Sequence, residues 1–329
     1  MEEQEPQPTD VTNFRKWAAI FVGVAAIGYM AYAVFRGIDE TSVQLASFAW
    51  GLYIPVLLLT LVNYSLRFVK WHYLLGRLGI HMPVIANAWI FTAGLAMVIT
   101  PGKAGELLKP YMVKVVAGAP MERTIPALVT ERVMDGIAVT LLAAIGVGSF
   151  YADGVQVVVT ALLITVAGLA VLAIKPLSLS IIQLIRKLPV VGGIGDRLET
   201  AYLALRTCLA PRSFVFTLVL SLIAWFAECV GYYLVLLGLQ VGATLDVSTF
   251  LYAFATVFGA PSPGGMGMSD VALVEGSLAL VDGMAGGQAV AAALLIRIAT
   301  LWLGVLLGAF ALFRLDGVTK DASQSSAAE

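Results

Sequence analysis

Lys103, Glu106, Lys109, Glu131, Arg132 and Asp135 stand close together in otherwise apolar sequence, and Asp270 and Arg297 repeat part of that pattern in the second half. Ionisable groups in such surroundings are costly, so each must bind something, pair with something or move protons. On a helix Glu131 and Asp135 share a face at i and i+4, with Arg132 about 100° round from Glu131. Arg132 can then reach into a polar space while Glu106 or a carboxylate of its own helix compensates it. Arg297 has no acidic neighbour in its own segment, and its nearest candidate partners are Asp270 and Glu275. For both arginines a salt bridge that pins one segment to another stands beside ligand binding. Lys109 and Lys114 either join this site or extend to the lipid headgroups. Glu228, inside Ala224-Trp225-Phe226-Ala227-Glu228-Cys229, is a candidate proton site or a partner for an arginine. Asn63 and Arg67, one turn apart, either floor a headgroup site or belong to an interfacial anchor with Lys70 and Trp71.

Two breaks position these groups. Pro101-Gly102-Lys103-Ala104-Gly105 and Pro263-Gly264-Gly265-Met266-Gly267 interrupt apolar sequence, and each is followed by an apolar segment carrying one arginine, Arg132 or Arg297. The turn residues Pro101, Gly102, Gly105, Pro263, Gly264, Gly265 and Gly267 allow a sharp reversal and close approach of helix ends. A helix that starts just after such a turn directs its positive end at whatever lies there, which favours an anion. Irregular backbone at membrane depth is tolerated only where protein buries it or a wet cavity receives it. The two breaks therefore imply a cavity.

With 60% hydrophobic and 12% charged residues and a mean hydropathy of +0.91 over 329 residues, the chain lies outside the soluble range and belongs in a bilayer. No basic stripe supports a nucleic-acid partner, and the net charge of −1 is uninformative for a membrane protein. Cys208 and Cys229 lack CxxC spacing, and His72 and His81 have no acidic neighbours, so neither a metal nor another cofactor is expected. Nucleophile elbow, His-based triad and HExxH are all missing, which argues against an enzyme.

Apolar stretches at 17–35, 48–68, 125–150, 155–174, 213–239 and 288–313 reach the roughly 20 residues a full span requires. The stretches around 84–116 and 249–281 contain the breaks and read as re-entrant hairpins. Basic residues concentrate at 15–16, 67–77, 103–123, 175–212 and 314–320, whereas 37–47, 151–154, 240–248 and 282–287 contain neither Lys nor Arg. If both hairpins return to the side they entered, every basic segment is cytoplasmic, as are both termini. The expected fold is all-α and polytopic, with six full spans and two re-entrant helical hairpins as an inverted-topology repeat. Its parts are a disordered tail at 1–14, a first repeat at 15–150, a second at 151–314 with an amphipathic linker at 180–212, and a disordered tail at 315–329. Superposing Arg132 on Arg297 leaves the two turns three residues out of register.

The run from Thr100 to Lys109, the segment Thr130-Glu131-Arg132-Val133-Met134-Asp135, the turn Pro261 to Gly267 and Leu295-Ile296-Arg297 together resemble the flippase-like family. That family is also called the lysylphosphatidylglycerol synthase transmembrane region, the membrane domain of the multiple peptide resistance factor. The resemblance covers roughly residues 15 to 314, and Asp270 stands where the family commonly has a glutamate. It implies a protein of a prokaryotic cell membrane that binds an anionic phospholipid or polyprenyl-phosphate headgroup and moves it between leaflets. It does not imply the synthase activity, which belongs to a separate soluble domain of bifunctional relatives. The expected partner is a membrane lipid, and self-association into a homo-oligomer stays open. An integral membrane transferase, with Glu106, Glu131 and Asp135 as metal ligands, and a small-solute secondary transporter are the alternatives.

Overall fold

The computed structural model describes residues 38–100, 105–150, 159–160, 163 and 195–326, and every regular element among them is helical. The apolar stretch 17–35, most of 155–174, the tail 1–14, and Pro101, Gly102 and Lys103 lie outside the described residues.

In chain order the helices are α1 (Ile38–Ser47), α2 (Tyr53–Arg77), α3 (Val84–Ala96), α4 (Leu108–Ala117), α5 (Met121–Phe150), α6 (Gly195–Cys208), α7 (Pro211–Gly238), α8 (Leu245–Phe258), α9 (Met268–Leu280), α10 (Gly286–Arg297) and α11 (Leu303–Ser326). A π-helical stretch, Ile298–Trp302, joins α10 to α11 without a break. Among the described residues, three continuous helices are long and apolar enough to cross a bilayer: Trp50–Arg77, Pro211–Gly238 and Gly286–Leu315. Helix α5 has 30 residues, but Glu131, Arg132 and Asp135 interrupt its apolar character. Helices α3 and α8, of 13 and 14 residues, rise only about 20 Å at 1.5 Å per residue and fall short of a roughly 30 Å hydrocarbon core.

Two expectations change here. Helix α2 continues to Arg77, well past position 68, and Lys70 and Trp71 are fully buried instead of anchoring at the interface. Trp71 donates from Nε1 to Asn87 Oδ1 at 2.9 Å, which ties α2 to α3. The C-terminal segment, expected to be disordered from 315, is helical to Ser326, since α11 runs on past Gly317 with no proline to end it.

Lipid tails are as apolar as leucine, so helices in a bilayer associate through close packing and polar contacts. Here α2 packs along α7, α3 along α11 and α5 along α8. Small residues permit this. A Cβ on Gly308 of α11 would lie 2.4 Å from the Ala96 backbone nitrogen, and one on Gly304 would lie 2.5 Å from the Tyr64 hydroxyl. One apolar core gathers α7, α8, α9 and α10, a second gathers the C-terminal half of α2 with α3, α4 and α11, and Ile99, Leu301 and Val305 form a small cluster of their own. The polar cavity opens among these cores.

Candidate functional site

The cavity has a volume of about 530 Å³, and Arg132 and Arg297 both line it. Arg67, Glu106, Lys109, Glu131, Asp135 and Glu228 border it as well, with Trp225, Tyr252 and the turn glycines Gly264 and Gly265. The backbone on either side of the two breaks meets there: a Cβ built on Gly264 would lie 3.2 Å from Ile99 Cγ2.

The charges form two groups. In the first, Glu131 of α5 is fully buried and accepts from Lys109 Nζ at 2.5 Å and from Arg132 Nη2 at 2.5 Å. Lys109 also lies over the Trp71 ring at 4.4 Å and the Phe91 ring at 5.1 Å. These contacts rule out extension of Lys109 to the headgroups; Lys114 is exposed. Arg132 Nε faces Glu106 Oε2 at 3.3 Å, which links α5 to the end of the first break. Asp135 pairs with Lys70, which also donates to Ser221 Oγ at 2.7 Å, and lies 3.7 Å from Arg67 Nε. Among the described residues, four cations thus face three carboxylates. Arg132 is the most accessible of the paired groups, with 28% of its side chain exposed against 11% for Arg67 and 3% for Lys109.

The second group is smaller. Arg297 Nε lies 3.0 Å from Asp270 Oδ1, and its Nη2 donates to the Gly264 carbonyl at 2.6 Å. Asp270 Oδ2 in turn accepts from the Gly267 amide at 2.8 Å. Of the two carboxylates weighed for Arg297, Asp270 therefore holds it, and the arginine pins the second break to α10. Asp270 also occupies the amino end of α9, so that helix end already carries its anion. Gly264, Gly265 and Gly267 have φ of 60°, 74° and 78°, a region that favours glycine. On the first break Gly105 donates its amide to Thr100 Oγ1 at 2.9 Å.

Glu228 stands apart from both groups. Its Oε2 accepts from the Tyr252 hydroxyl at 2.6 Å, so its hydrogen-bond partner is a phenol of α8 and not a guanidinium. Asn63 is absent from the lining: its Nδ2 donates to the Ala224 carbonyl at 2.9 Å and holds α2 to α7. Glu106, Glu131 and Asp135 each face at least one cation, and the described residues include no cluster of three or more His, Cys, Asp or Glu suited to a metal ion. Lys70, Ser221, Trp225 and Tyr252 were not foreseen as site residues. For Lys70 the signal was present, since it follows Asn63 and Arg67 at seven and three residues, on one helical face.

A bundle of apolar helices around a buried, ion-paired cavity defines a polytopic membrane protein with an internal polar site. The chain belongs to the lysylphosphatidylglycerol synthase TM region family, whose model matches residues 17–308. It is similar to the UPF0104 membrane protein of Methanothermobacter thermautotrophicus, at 28% identity over 282 residues covering 79% of this chain and 82% of the relative.

Proposed function

We propose that this protein is a lipid translocator of a prokaryotic cell membrane, which receives an anionic phospholipid or polyprenyl-phosphate headgroup in its central cavity and passes it between leaflets without chemical change. The observation that carries this reading is the convergence of Arg132 and Arg297 on one cavity. Arg132, the more accessible, lies in the group whose cations outnumber its carboxylates, so it is the first contact for a phosphate, with Arg67 beside it. The lipid tails stay in the bilayer.

The packing supports an inverted repeat, which alternating access requires. Pairing α1 with α6, α2 with α7, α3 with α8, α4 with α9 and α5 with the α10–α11 helix carries several of the main contacts onto one another. Thus α3 against α11 matches α8 against α5, α1 against α10 matches α6 against α5, and α2 against α7 maps onto itself. The acid–arginine pairs follow the same rule: Glu106 stands 26 residues before Arg132 and Asp270 27 residues before Arg297. The short pairs α3–α4 and α8–α9 are then the re-entrant hairpins.

The test is a leaflet-resolved assay in proteoliposomes with short-chain fluorescent phosphatidylglycerol. The unmutated protein should exchange lipid well above protein-free vesicles. Arg132→Ala should lose at least tenfold and Arg132→Lys, which keeps the charge facing Glu131 and Glu106, should retain part, with exchange compared per folded protein because Arg132→Ala also unpairs buried carboxylates. Exchange by Arg132→Ala equal to that of the unmutated protein would overturn the assignment.

A further inference from the structure

Counting charge through the site exposes an imbalance that a bound phosphate creates. Among the described residues the site holds five cations (Arg67, Lys70, Lys109, Arg132 and Arg297) and five carboxylates (Glu106, Glu131, Asp135, Glu228 and Asp270). With Glu228 ionised the sum is zero. Four of the carboxylates are fixed by direct ion pairs at 3.3 Å or less, so they cannot take up a proton without abandoning a buried cation. Glu228 alone of the five is held by a neutral group, the Tyr252 hydroxyl at 2.6 Å on Oε2, and it borders the cavity.

A headgroup phosphate brings a further negative charge into a space of low dielectric, where it is opposed by more than it would be in water. The groups that face Glu228 decide how that charge is met. Tyr252 of α8 bonds it directly, while Arg67 and Tyr64 of α2, Asp135 of α5, Arg297 of α10 and Cys229 of α7 act on it through space. Burial works against the Glu228 charge, and the opposite charges of Arg67 and Arg297 offset part of that cost while the site is empty. An arriving phosphate competes for the same two guanidinium groups and withdraws that support. Asp135 adds to the repulsion. The carboxylate is then the weakest-held charge in the site.

On the reading of the cavity as a lipid-headgroup site, we infer that Glu228 is its proton-coupling residue. One proton from water is taken up by the Glu228 carboxylate as one headgroup anion enters, and is released when the anion leaves. The step breaks one O–H bond of a hydronium ion and forms one on Glu228, and the proton gained offsets the negative charge that the headgroup brings, so an anionic lipid crosses together with one proton. A pH gradient across the membrane would then drive headgroups toward the alkaline side.

The test measures binding of phosphatidylglycerol to the purified full-length protein in detergent between pH 5.5 and 8.5, with Glu228→Gln as the permanently neutral variant. Linkage requires the unmutated protein to bind more weakly as pH rises, approaching tenfold per unit above the range in which empty Glu228 titrates. Glu228→Gln should bind with a flat profile at the strength the unmutated protein shows in acid. Infrared difference spectra should show a protonated carboxyl band when lipid is added, lost in Glu228→Gln. Binding with the same slope in both proteins, or no carboxyl band, overturns the coupling and leaves the headgroup site standing. No binding at any pH overturns both. Tyr252→Phe separates the role of the hydrogen bond: it should displace the transition along the pH axis without flattening it, and a flat profile in Tyr252→Phe would assign the titration to the phenol and overturn the proposal.

Discussion

Lys70 is the residue whose sequence context misleads most. Beside Trp71 at the end of an apolar run it has the composition of an interfacial anchor, yet it is fully buried and paired with Asp135 and Ser221. Composition could not distinguish these cases, because an anchor and a buried pair use the same residue types and differ only in what the facing helices present. A buried charge that loses its partner is destabilising by about 3 to 5 kcal/mol. Lys70→Met should therefore lower the thermal unfolding midpoint of the protein in detergent markedly, while Lys114→Met on the exposed end of α4 should leave it within error. Equal midpoints for the two variants would mean that the Lys70–Asp135 pair contributes nothing to the fold. The arginines were more legible. Arg132 and Arg297 have few reasons to stand in apolar sequence, and both line the cavity; their carboxylates, Glu106 and Asp270, were the candidates that chain proximity offered. Asn63, by contrast, reads like a site residue and serves as a helix-to-helix tie, since a polar side chain facing a neighbouring backbone looks the same in sequence as one facing a ligand.

At the scale of elements, helix type followed from apolar length, because a bilayer leaves few alternatives to a helix, whereas the end of α2 at Arg77 did not. The closeness of α3 and α11 did not, since Gly304 and Gly308 are two glycines among 32 and only the partner surface shows which of them matter. At Gly308 a methyl group would collide with the backbone of Ala96 and the Thr92 carbonyl, atoms that cannot rotate away. Gly308→Ala should force the helices apart and cost about 1 to 3 kcal/mol, as overpacking does elsewhere. Gly76, inside α2 with nothing within 4 Å of its missing Cβ, supplies the opposite case. Gly76→Ala should stabilise by up to about 1 kcal/mol through helix propensity. Thermal unfolding of the two variants in the same detergent reads both effects; a shift of the same sign in each would contradict the packing argument.

For the whole molecule the decisive matter is which segments share a side of the membrane. Loop charge places the segments around Arg77 and Lys114 together, and the absence of Lys and Arg places 240–248 with 282–287. Both statements hold only if α3–α4 and α8–α9 each return to the face they left. The lengths agree with this, since none of the four helices is long enough to cross alone, and so does the meeting of Ile99 with Gly264 beside the cavity. Single cysteines in exposed positions convert the argument into a measurement, because Cys208 and Cys229 are both buried and should stay silent toward a membrane-impermeant maleimide. His81→Cys and Val115→Cys flank the first break, and Thr244→Cys and Asp282→Cys flank the second; all four positions are exposed. In intact cells the second pair should react and the first should react only after permeabilisation. If His81→Cys and Val115→Cys fall on opposite sides, the first hairpin is a crossing, the two halves are no longer inverted copies, and a cavity that alternates between leaflets loses its structural basis even with Arg132 and Arg297 in place.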